Sequence, residues 1–297
     1  MIDISFIIVN YKTKELVAQG IDSILKFAKG FAWEIIVVDN NSQDGSVEFL
    51  KKKYPNVKVV AEKENLGFGK GNNIGIKQAK GDYLFFFNSD AYLIDTSLSK
   101  LISRTREINN LGAISPLILN PDKSIQQSGG YFPTLLKIFL WMSFIDDLPG
   151  GAMLKPFHID HDSFYTKERE LDWITGAAFM VPSKVLKKVG DFDPDIFMYG
   201  EDVELCYRIK KAGFKIVMDP EAKIVHIGQG SSGKTPRSAI LGEYKTILHV
   251  YQKHQGKGSL QMARIFLKIG GLLRTLVFSL LGRKELSQIY AEAVKTV

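Results

Sequence analysis

Up to residue 87, unbroken apolar runs alternate with segments whose apolar positions recur at helical spacing. The unbroken runs fall at 4–10, 34–39, 57–62 and 83–87 and are rich in β-branched and aromatic residues. Runs of this length and content predict strands buried on both faces. Between them, 14–29 sets Leu16, Val17, Ile21, Ile24, Leu25 and Phe27 on one helical face. Residues 46–53 predict a second helix, begun by Ser42-Gln43-Asp44-Gly45, and 69–79 a third despite its glycines. Strand–helix alternation of this kind predicts an α/β fold whose central sheet is mostly parallel, with right-handed crossovers and flanking helices.

The second half is less regular. It predicts strands at 113–119, 215–218 and 223–226, an apolar run at 172–181, and helices at 183–189 and 201–212. A polar loop is expected at 155–170. The apolar stretch Leu135-Leu136-Lys137-Ile138-Phe139-Leu140-Trp141-Met142 is too short, and too closely flanked by Pro133 and Pro149, to span a bilayer. From residue 239 the pattern is helical. Within it, 260–281 has two faces. Gln261, Arg264, Lys268, Gly271, Thr275, Ser279 and Gly282 share the polar one; Ile265, Phe266, Ile269, Leu272, Leu273, Leu276, Val277 and Leu280 share the other. Arg264, Lys268 and Arg274 argue against a spanning helix, since each charge near a bilayer centre costs roughly 2.5–3.5 kcal/mol. Such a helix either lies in a membrane interface or packs on protein, including a second copy of the chain.

With 297 residues and 45% hydrophobic content, the chain can bury one large core, or one core and an appendage. The single cysteine, Cys206, forms no internal disulfide and fits a reducing compartment. The start, Met1-Ile2-Asp3-Ile4, runs straight into a strand and lacks the pattern of a signal peptide. A net charge of +7 suits an anionic partner such as a nucleoside diphosphate, a lipid phosphate or an acidic membrane surface. Nucleic acid is not expected, because the basic residues are scattered and no motif of a nucleic-acid-binding module is present.

The candidate chemistry gathers where strands end. Phe85-Phe86-Phe87 stops at Asn88-Ser89-Asp90, and Ile35-Ile36-Val37-Val38 stops at Asp39-Asn40-Asn41-Ser42. Open α/β sheets bind ligands just beyond the carboxyl ends of their strands. Asp39 there can accept from a base N–H or a ribose hydroxyl, or simply cap a turn. Asn88 and Asp90 offer oxygen ligands to Mg²⁺ or Mn²⁺, which commonly take one or two carboxylates and complete their shell with diphosphate and water. The segment from Asn65 to Gly75 carries four glycines and three amides; its backbone can approach a phosphate closely, yet it is not a Walker loop. Glu201, Asp202 and Glu204 open a helix, where acidic residues also serve as plain dipole partners. The aromatic approach through Phe197 and Tyr199 favours a pocket base. His226 ends a strand ahead of a Gly/Ser-rich stretch with a lysine, which can fold over a nucleotide.

Together these segments resemble the family-2 glycosyltransferases of GT-A fold. The resemblance rests on Phe6-Ile7-Ile8-Val9-Asn10-Tyr11, Val37-Val38-Asp39-Asn40-Asn41-Ser42, Asn65-Leu66-Gly67-Phe68 through Asn72, Asn88-Ser89-Asp90, Trp173-Ile174-Thr175-Gly176-Ala177-Ala178 and Gly200-Glu201-Asp202 through Arg208. The form of Asn88-Ser89-Asp90 and of the helix from Glu201 to Arg208 is similar to the rhamnosyltransferase branch, which builds cell-surface polysaccharide. The resemblance implies a catalytic domain over 1–235, with a nucleotide-sugar half (1–112) and an acceptor half (113–235), and a helical extension over 236–297. It implies inverting, metal-dependent transfer, with dTDP-rhamnose the favoured donor and a saccharide or lipid-linked saccharide the acceptor. Asn10, Asp39, Asn65, Gly67, Asn72, Asn88, Ser89 and Asp90 would then meet the donor, and Asp39 its base. Asp90, with His226, would hold the divalent ion; many relatives carry Asp at the position of Asn88. Asp202 would be the general base and Glu201 its neighbour in catalysis and acceptor binding, with Trp173 and Gly176 lining the acceptor side. The expected location is cytoplasmic, peripheral at the inner face of the membrane, with a homodimer through the C-terminal helices as the other partner.

Two other readings predict different residues. A sugar-phosphate nucleotidyltransferase would carry a Gly-rich, Arg-containing loop where Asn10-Tyr11-Lys12-Thr13-Lys14 stands. A non-catalytic sugar- or partner-binding module would have lost the acidic residues that this chain retains.

Overall fold

A computed structural model describes residues 2–148, 151–228 and 237–297. The first elements follow the sequence pattern closely: β1 (Ile4–Asn10), α1 (Lys14–Phe27), β2 (Trp33–Asp39), α2 (Ser46–Lys53), β3 (Lys58–Ala61), α3 (Gly67–Gln78) and β4 (Tyr83–Phe87). Next come β5 (Ala91–Leu93), α4 (Leu98–Glu107), β6 (Leu111–Leu119), β7 (Gly129–Gly130) and α5 (Leu135–Met142). They are followed by β8 (Arg169–Leu171), β9 (Trp173–Ile174), β10 (Ala178–Pro182), α6 (Ser183–Val189), α7 (Glu201–Lys211) and β11 (Lys215–His226). The helices α8 (Arg237–His254), α9 (Lys257–Leu280) and α10 (Lys284–Val294) complete the chain.

The described chain divides into two compact units. The first comprises residues 1–129, 160–197 and 201–233, and the second 130–159, 198–200 and 234–297. Thus the apolar segment around α5 belongs with the C-terminal helices. In the first unit a nine-stranded sheet runs β3-β2-β1-β4-β10-β6-β11-β5, with β8 on β11. The order β3-β2-β1-β4 is parallel, as the alternation predicts. From β10 onward the sheet is mixed: β10 is antiparallel to β4 and β6, while β11 is parallel to β6 and antiparallel to β5 and β8. The pleat sends Ile4, Phe6 and Ile8 into a core with Val17, Ile21, Leu50, Leu101 and Phe85. On the other face, Ile7 and Val9 lie against α3, where a Cβ on Gly75 would come within 2.3 Å of Ile7 and one on Gly71 within 2.9 Å of Val9. The glycines of α3 therefore let a helix lie close on the sheet.

Two sequence expectations change here. The strands expected at 215–218 and 223–226 are one strand, β11, with an irregularity between Asp219 and Lys223. Pro220 supplies the turn-like signal but sits in a bulge, a position where a strand tolerates proline. The polar loop expected at 155–170 contains one 3₁₀ turn, Asp162–Thr166, and follows another, Gly151–Leu154. Most of the Gly/Ser-rich stretch after His226, residues 229–236, lies outside the described residues.

In the second unit, α9 packs through Ala263, Leu267, Gly270, Gly271 and Arg274. A Cβ on Gly270 would meet Met142 of α5 at 2.3 Å, and one on Gly271 would meet Val294 of α10 at 2.5 Å. Gly271, expected on the polar face, is therefore buried, and Arg274 is buried with it. The Arg274 guanidinium is buried among the rings of Trp141, Phe144 and Tyr290 and donates to the Trp141 carbonyl.

Candidate active site

Three parallel strands deliver their carboxyl ends side by side. Asn10, the last residue of β1, is the direct register partner of Asp39, the last of β2. Asn10 Nδ2 donates to Asp39 Oδ2 at 2.6 Å, and Ser42 donates to Asp39 through both Oγ (2.6 Å) and N (3.0 Å). Thr13 Oγ1 donates to Asn10 Oδ1 at 2.7 Å and lies 2.8 Å from Ser89 Oγ, beyond the end of β4. One hydrogen-bonded chain thus joins the tips of β2, β1 and β4. It organises Asp39 as a turn residue and leaves acceptor capacity on the carboxylate, which holds about four lone-pair sites.

The glycine-rich segment completes this side. Gly67 has φ +81°, and a Cβ there would stand 2.1 Å from the Phe197 carbonyl oxygen. Asn65 Oδ1 accepts from Gly67 N at 3.0 Å, Asn40 Nδ2 donates to Gly67 O at 2.9 Å, and Asn72 Nδ2 donates to Phe68 O at 3.0 Å. Asn65 and Asn72 therefore shape the loop. The Oδ1 atoms of Asn40 and Asn72 are buried without a hydrogen-bond partner.

Antiparallel pairing brings the remaining residues to the same edge. His226 pairs with Ala91 across β11 and β5, which sets it beside Asp90; the Nε2–Oδ1 separation is 3.2 Å. Asn88 Nδ2 is 3.2 Å from the same Nε2, and Asn88 Oδ1 is buried with no partner. Gln126, which no local motif marks, fixes the imidazole. Asn120 Nδ2 donates to Ser124 Oγ at 2.9 Å, so its Oδ1 accepts from Gln126 Nε2 at 2.9 Å. Gln126 Oε1 is left to accept from His226 Nδ1 at 2.6 Å. This chain places the proton on Nδ1, so Nε2 is an acceptor that faces Asn88 Nδ2 and lies beside Asp90. Among the described residues no three His, Cys, Asp or Glu side chains form a metal cluster. One carboxylate, one imidazole nitrogen and one unsatisfied amide oxygen nevertheless fit a hard divalent ion that takes its other ligands from diphosphate and water.

The acidic helix faces this edge through two adjacent residues. Gly176 N donates to Asp202 Oδ2 at 2.7 Å, and Val203 N to Oδ1 at 2.8 Å. The next carbonyl, Ala177 O, accepts from Asn88 N at 2.9 Å, continuing the pairing of Ala178 with Phe87. A Cβ on Gly176 would lie 3.3 Å from the Phe68 ring and 3.5 Å from Asp202. Burial and then repulsion from Asp202 push the Glu201 carboxyl up to about 8, and its Oε2 has no hydrogen-bond partner. Burial also raises Asp202, but the N–H groups of Gly176 and Val203 oppose the shift. The two carboxyls are thus separated in character: Glu201 holds a proton to higher pH, while Asp202 has two donors that stabilise its anion. Glu204 does not share this work. It is fully buried and forks onto Arg208, whose Nη1 and Nη2 cap the carbonyls of Val189, Gly190 and Asp191 at the end of α6. Trp173 is buried in β9.

The chain has counterparts in sequence and in fold. The sequence pattern of Glycosyl transferase family 2 matches residues 5–156. The chain belongs to glycosyl transferase family 2. This family-2 chain is 29% identical over 244 residues to the N-acetylglucosaminyl-diphospho-decaprenol L-rhamnosyltransferase of Mycobacterium tuberculosis, covering 75% of this chain and 76% of that protein. It is 27% identical over 168 residues to the rhamnosyltransferase WbbL of Escherichia coli, covering 54% of this chain and 60% of that one. In fold it is similar to the mannosyltransferase PcManGT of Pyrobaculum calidifontis, solved with GDP-Man and Mn²⁺. The TM-score is 0.58 at 15% identity, over 98% of this chain and 85% of that one. GalNAc-T7, solved with UDP, GalNAc and Mn²⁺, aligns with TM-score 0.58 and 18% identity over 86% of this family-2 chain and 49% of that structure. The fold is GT-A, and the protein is a glycosyltransferase similar to rhamnosyltransferases.

Proposed function

We propose that this glycosyltransferase moves a sugar, with inversion, from a nucleoside diphosphate donor to a saccharide carried on a lipid, and that rhamnose from dTDP-rhamnose is the favoured donor. The observation that carries the reading is the pair Gly176–Ala177. One residue holds the Asp202 carboxylate and the next holds the Asn88-Ser89-Asp90 tip, so a proton acceptor and a diphosphate-binding tip are fixed by adjacent peptide units. Asp39 and the loop around Gly67 take the base and ribose. Asn88, Asp90 and His226 would hold a divalent ion, which would supply positive charge against the leaving diphosphate. The acceptor hydroxyl approaches the anomeric carbon from the face opposite the nucleotide, and Asp202 takes its proton as the bond forms. Glu201, protonated over most of the neutral range, donates toward the acceptor and adds no second negative charge beside the base. Trp173 and Gly176 bound the acceptor side. No protein nucleophile is required.

Support for the lipid-linked acceptor comes from the similarity to a protein named for a diphospho-decaprenol acceptor. Such an acceptor places the reaction at the inner membrane surface. The test is nucleotide release from a panel of nucleotide sugars with Mn²⁺ and a polyprenyl-diphosphate saccharide, on the parent and on Asp202→Asn. The parent is expected to turn over dTDP-rhamnose fastest. Asp202→Asn keeps the shape and loses proton acceptance, so turnover should fall by ~10²–10⁴-fold with donor affinity retained. Faster turnover of a purine nucleotide sugar, or near-parent activity in Asp202→Asn, would overturn the donor or the base.

A further inference from the structure

The large exposed apolar side chains of the described residues are not scattered. All but Leu25, Phe49 and Phe197 belong to the second unit. Exposed apolar residues spread singly are ordinary, but a contiguous set marks an interaction surface. Here the set is one face of α9: Ile265, Ile269, Leu272, Leu273, Leu276 and Leu280 succeed each other at helical spacing, with Ile269 63% and Leu280 78% exposed. The face is free because α9 packs on its neighbours by the opposite side, where Ala263, Gly270 and Gly271 permit close approach. Phe139 of α5, itself exposed, packs at a tilt against Phe266 of α9 with ring centroids 5.6 Å apart, and exposed Leu136 precedes it by one helical turn. The surface therefore extends from α9 onto α5.

Charge decides what covers it. From Lys257 to Lys284 the chain has no Asp or Glu, and α5 carries only Lys137. Lys268 is exposed along the apolar face and Arg264 is half-buried beside it, while Arg283 and Lys284 are exposed beyond its end. A second copy of the chain, docked through the same patch on a two-fold axis, would bring this cationic face against itself. An anionic bilayer accepts both parts at once, the leucines among acyl chains and the ammonium and guanidinium groups among phosphates. Among the described residues no helix is long and apolar enough to cross a membrane, and Lys268 stands near the middle of α9. We infer that α9, with the exposed edge of α5, lies in the interface of an anionic membrane and seats the protein there.

The experiment is vesicle flotation of the full chain, with vesicles free of any saccharide acceptor so that binding is read apart from sugar transfer. Phosphatidylcholine vesicles with and without phosphatidylglycerol are compared with the parent, Lys268→Glu and the double variant Ile269→Glu, Leu272→Glu. All three positions are exposed, and circular dichroism checks that the variants keep their helices. The parent should float with phosphatidylglycerol vesicles and release at high salt. Its partition coefficient should fall about tenfold or more in the double variant and severalfold in Lys268→Glu. Equal partition of parent and double variant would overturn the inference. So would a parent that ignores vesicles and sediments as a dimer, with the double variant monomeric. A chain that floats but transfers no sugar would leave the membrane surface standing and refute the proposed function instead.

Discussion

At the scale of single residues, the candidate site includes groups whose hydrogen bonds go to other side chains of the site. Gln126 reads Asn120 on one side and His226 on the other, and its amide geometry decides which imidazole nitrogen carries the proton. Groups that orient a metal-binding imidazole typically contribute about 10–100-fold to metal affinity. Gln126→Leu keeps comparable bulk and removes both contacts. It is expected to convert the His226 ring from one Nδ1–H tautomer to a mixture, visible in its ¹⁵N shifts without any metal. It should also weaken Mn²⁺ binding in the presence of nucleoside diphosphate by about 10–100-fold. An unchanged ¹⁵N pattern would show that Gln126 only fills space. Nothing near Gln126 in sequence announces this role, because its partner lies a hundred positions away across two strands. Asp39, Asp90 and Asp202 were legible for the opposite reason. Each follows a local signal, an apolar run cut short or an aromatic turn into a helix, that requires no knowledge of the fold. What sequence alone left open was whether Asp39 caps a turn or faces a ligand, and the geometry shows that its carboxylate does organise the turn through Ser42.

At the scale of elements, α7 illustrates how one helix start serves two purposes. Its face toward Arg208 is an internal ion pair that ties α7 to the end of α6, while Glu201 and Asp202 present carboxyls to the site. The cost appears as a pH dependence. The folded state holds a proton on Glu201 up to about 8, against an ordinary value of 4.5. Between those values the folded chain binds a proton that the unfolded chain has released, so this contribution is fully present below the ordinary value and is lost as pH rises through about 8. Glu201→Gln replaces the protonated acid by a neutral amide. Its stability should therefore fall less than the parent's between about pH 5 and about pH 9, by an amount on the order of a few kcal/mol. Urea midpoints at the two pH values measure this, and parallel losses in both proteins would place the titrating group elsewhere. The elements that sequence reading passed over are informative too. α4 has Leu98, Leu101, Ile102 and Thr105 on a buried face, but Lys100, Arg104 and Arg106 dilute the apolar signal. β5 has three residues and β9 two, too few for any period to register. These short strands are formed by pairing with distant partners, as His226 with Ala91 shows.

At the scale of the whole molecule, the two kinds of surface fall in different compact units. The strand tips proposed to meet a donor belong to the first, and the exposed leucines of α9 to the second. Each ligand should therefore leave its own mark on backbone dynamics. Binding of a nucleoside diphosphate at a hundredfold excess over its Kd stabilises the bound state by about 2.7 kcal/mol, which slows exchange roughly a hundredfold for amides that open only in the free form. With dTDP and Mn²⁺, protection should rise at Lys12, Asn40, Ser42 and Phe68, whose amides sit in the turns around Asp39 and Gly67, and at Gly176, whose N–H holds Asp202. Anionic vesicles should instead protect α9 along Ile265 to Leu280. The two footprints are read separately by hydrogen–deuterium exchange, one ligand at a time. Nucleotide protection on α9 with the Asp39 turn unchanged would mean that the donor binds away from the strand tips. The assignment of Asp39, Asn65, Gly67 and Asn72 would then fail, although the fold and the family would stand. Protection of the Asp39 turn that disappears in excess chelator would tie the same tips to a divalent ion, through the proposed set of Asn88, Asp90 and His226.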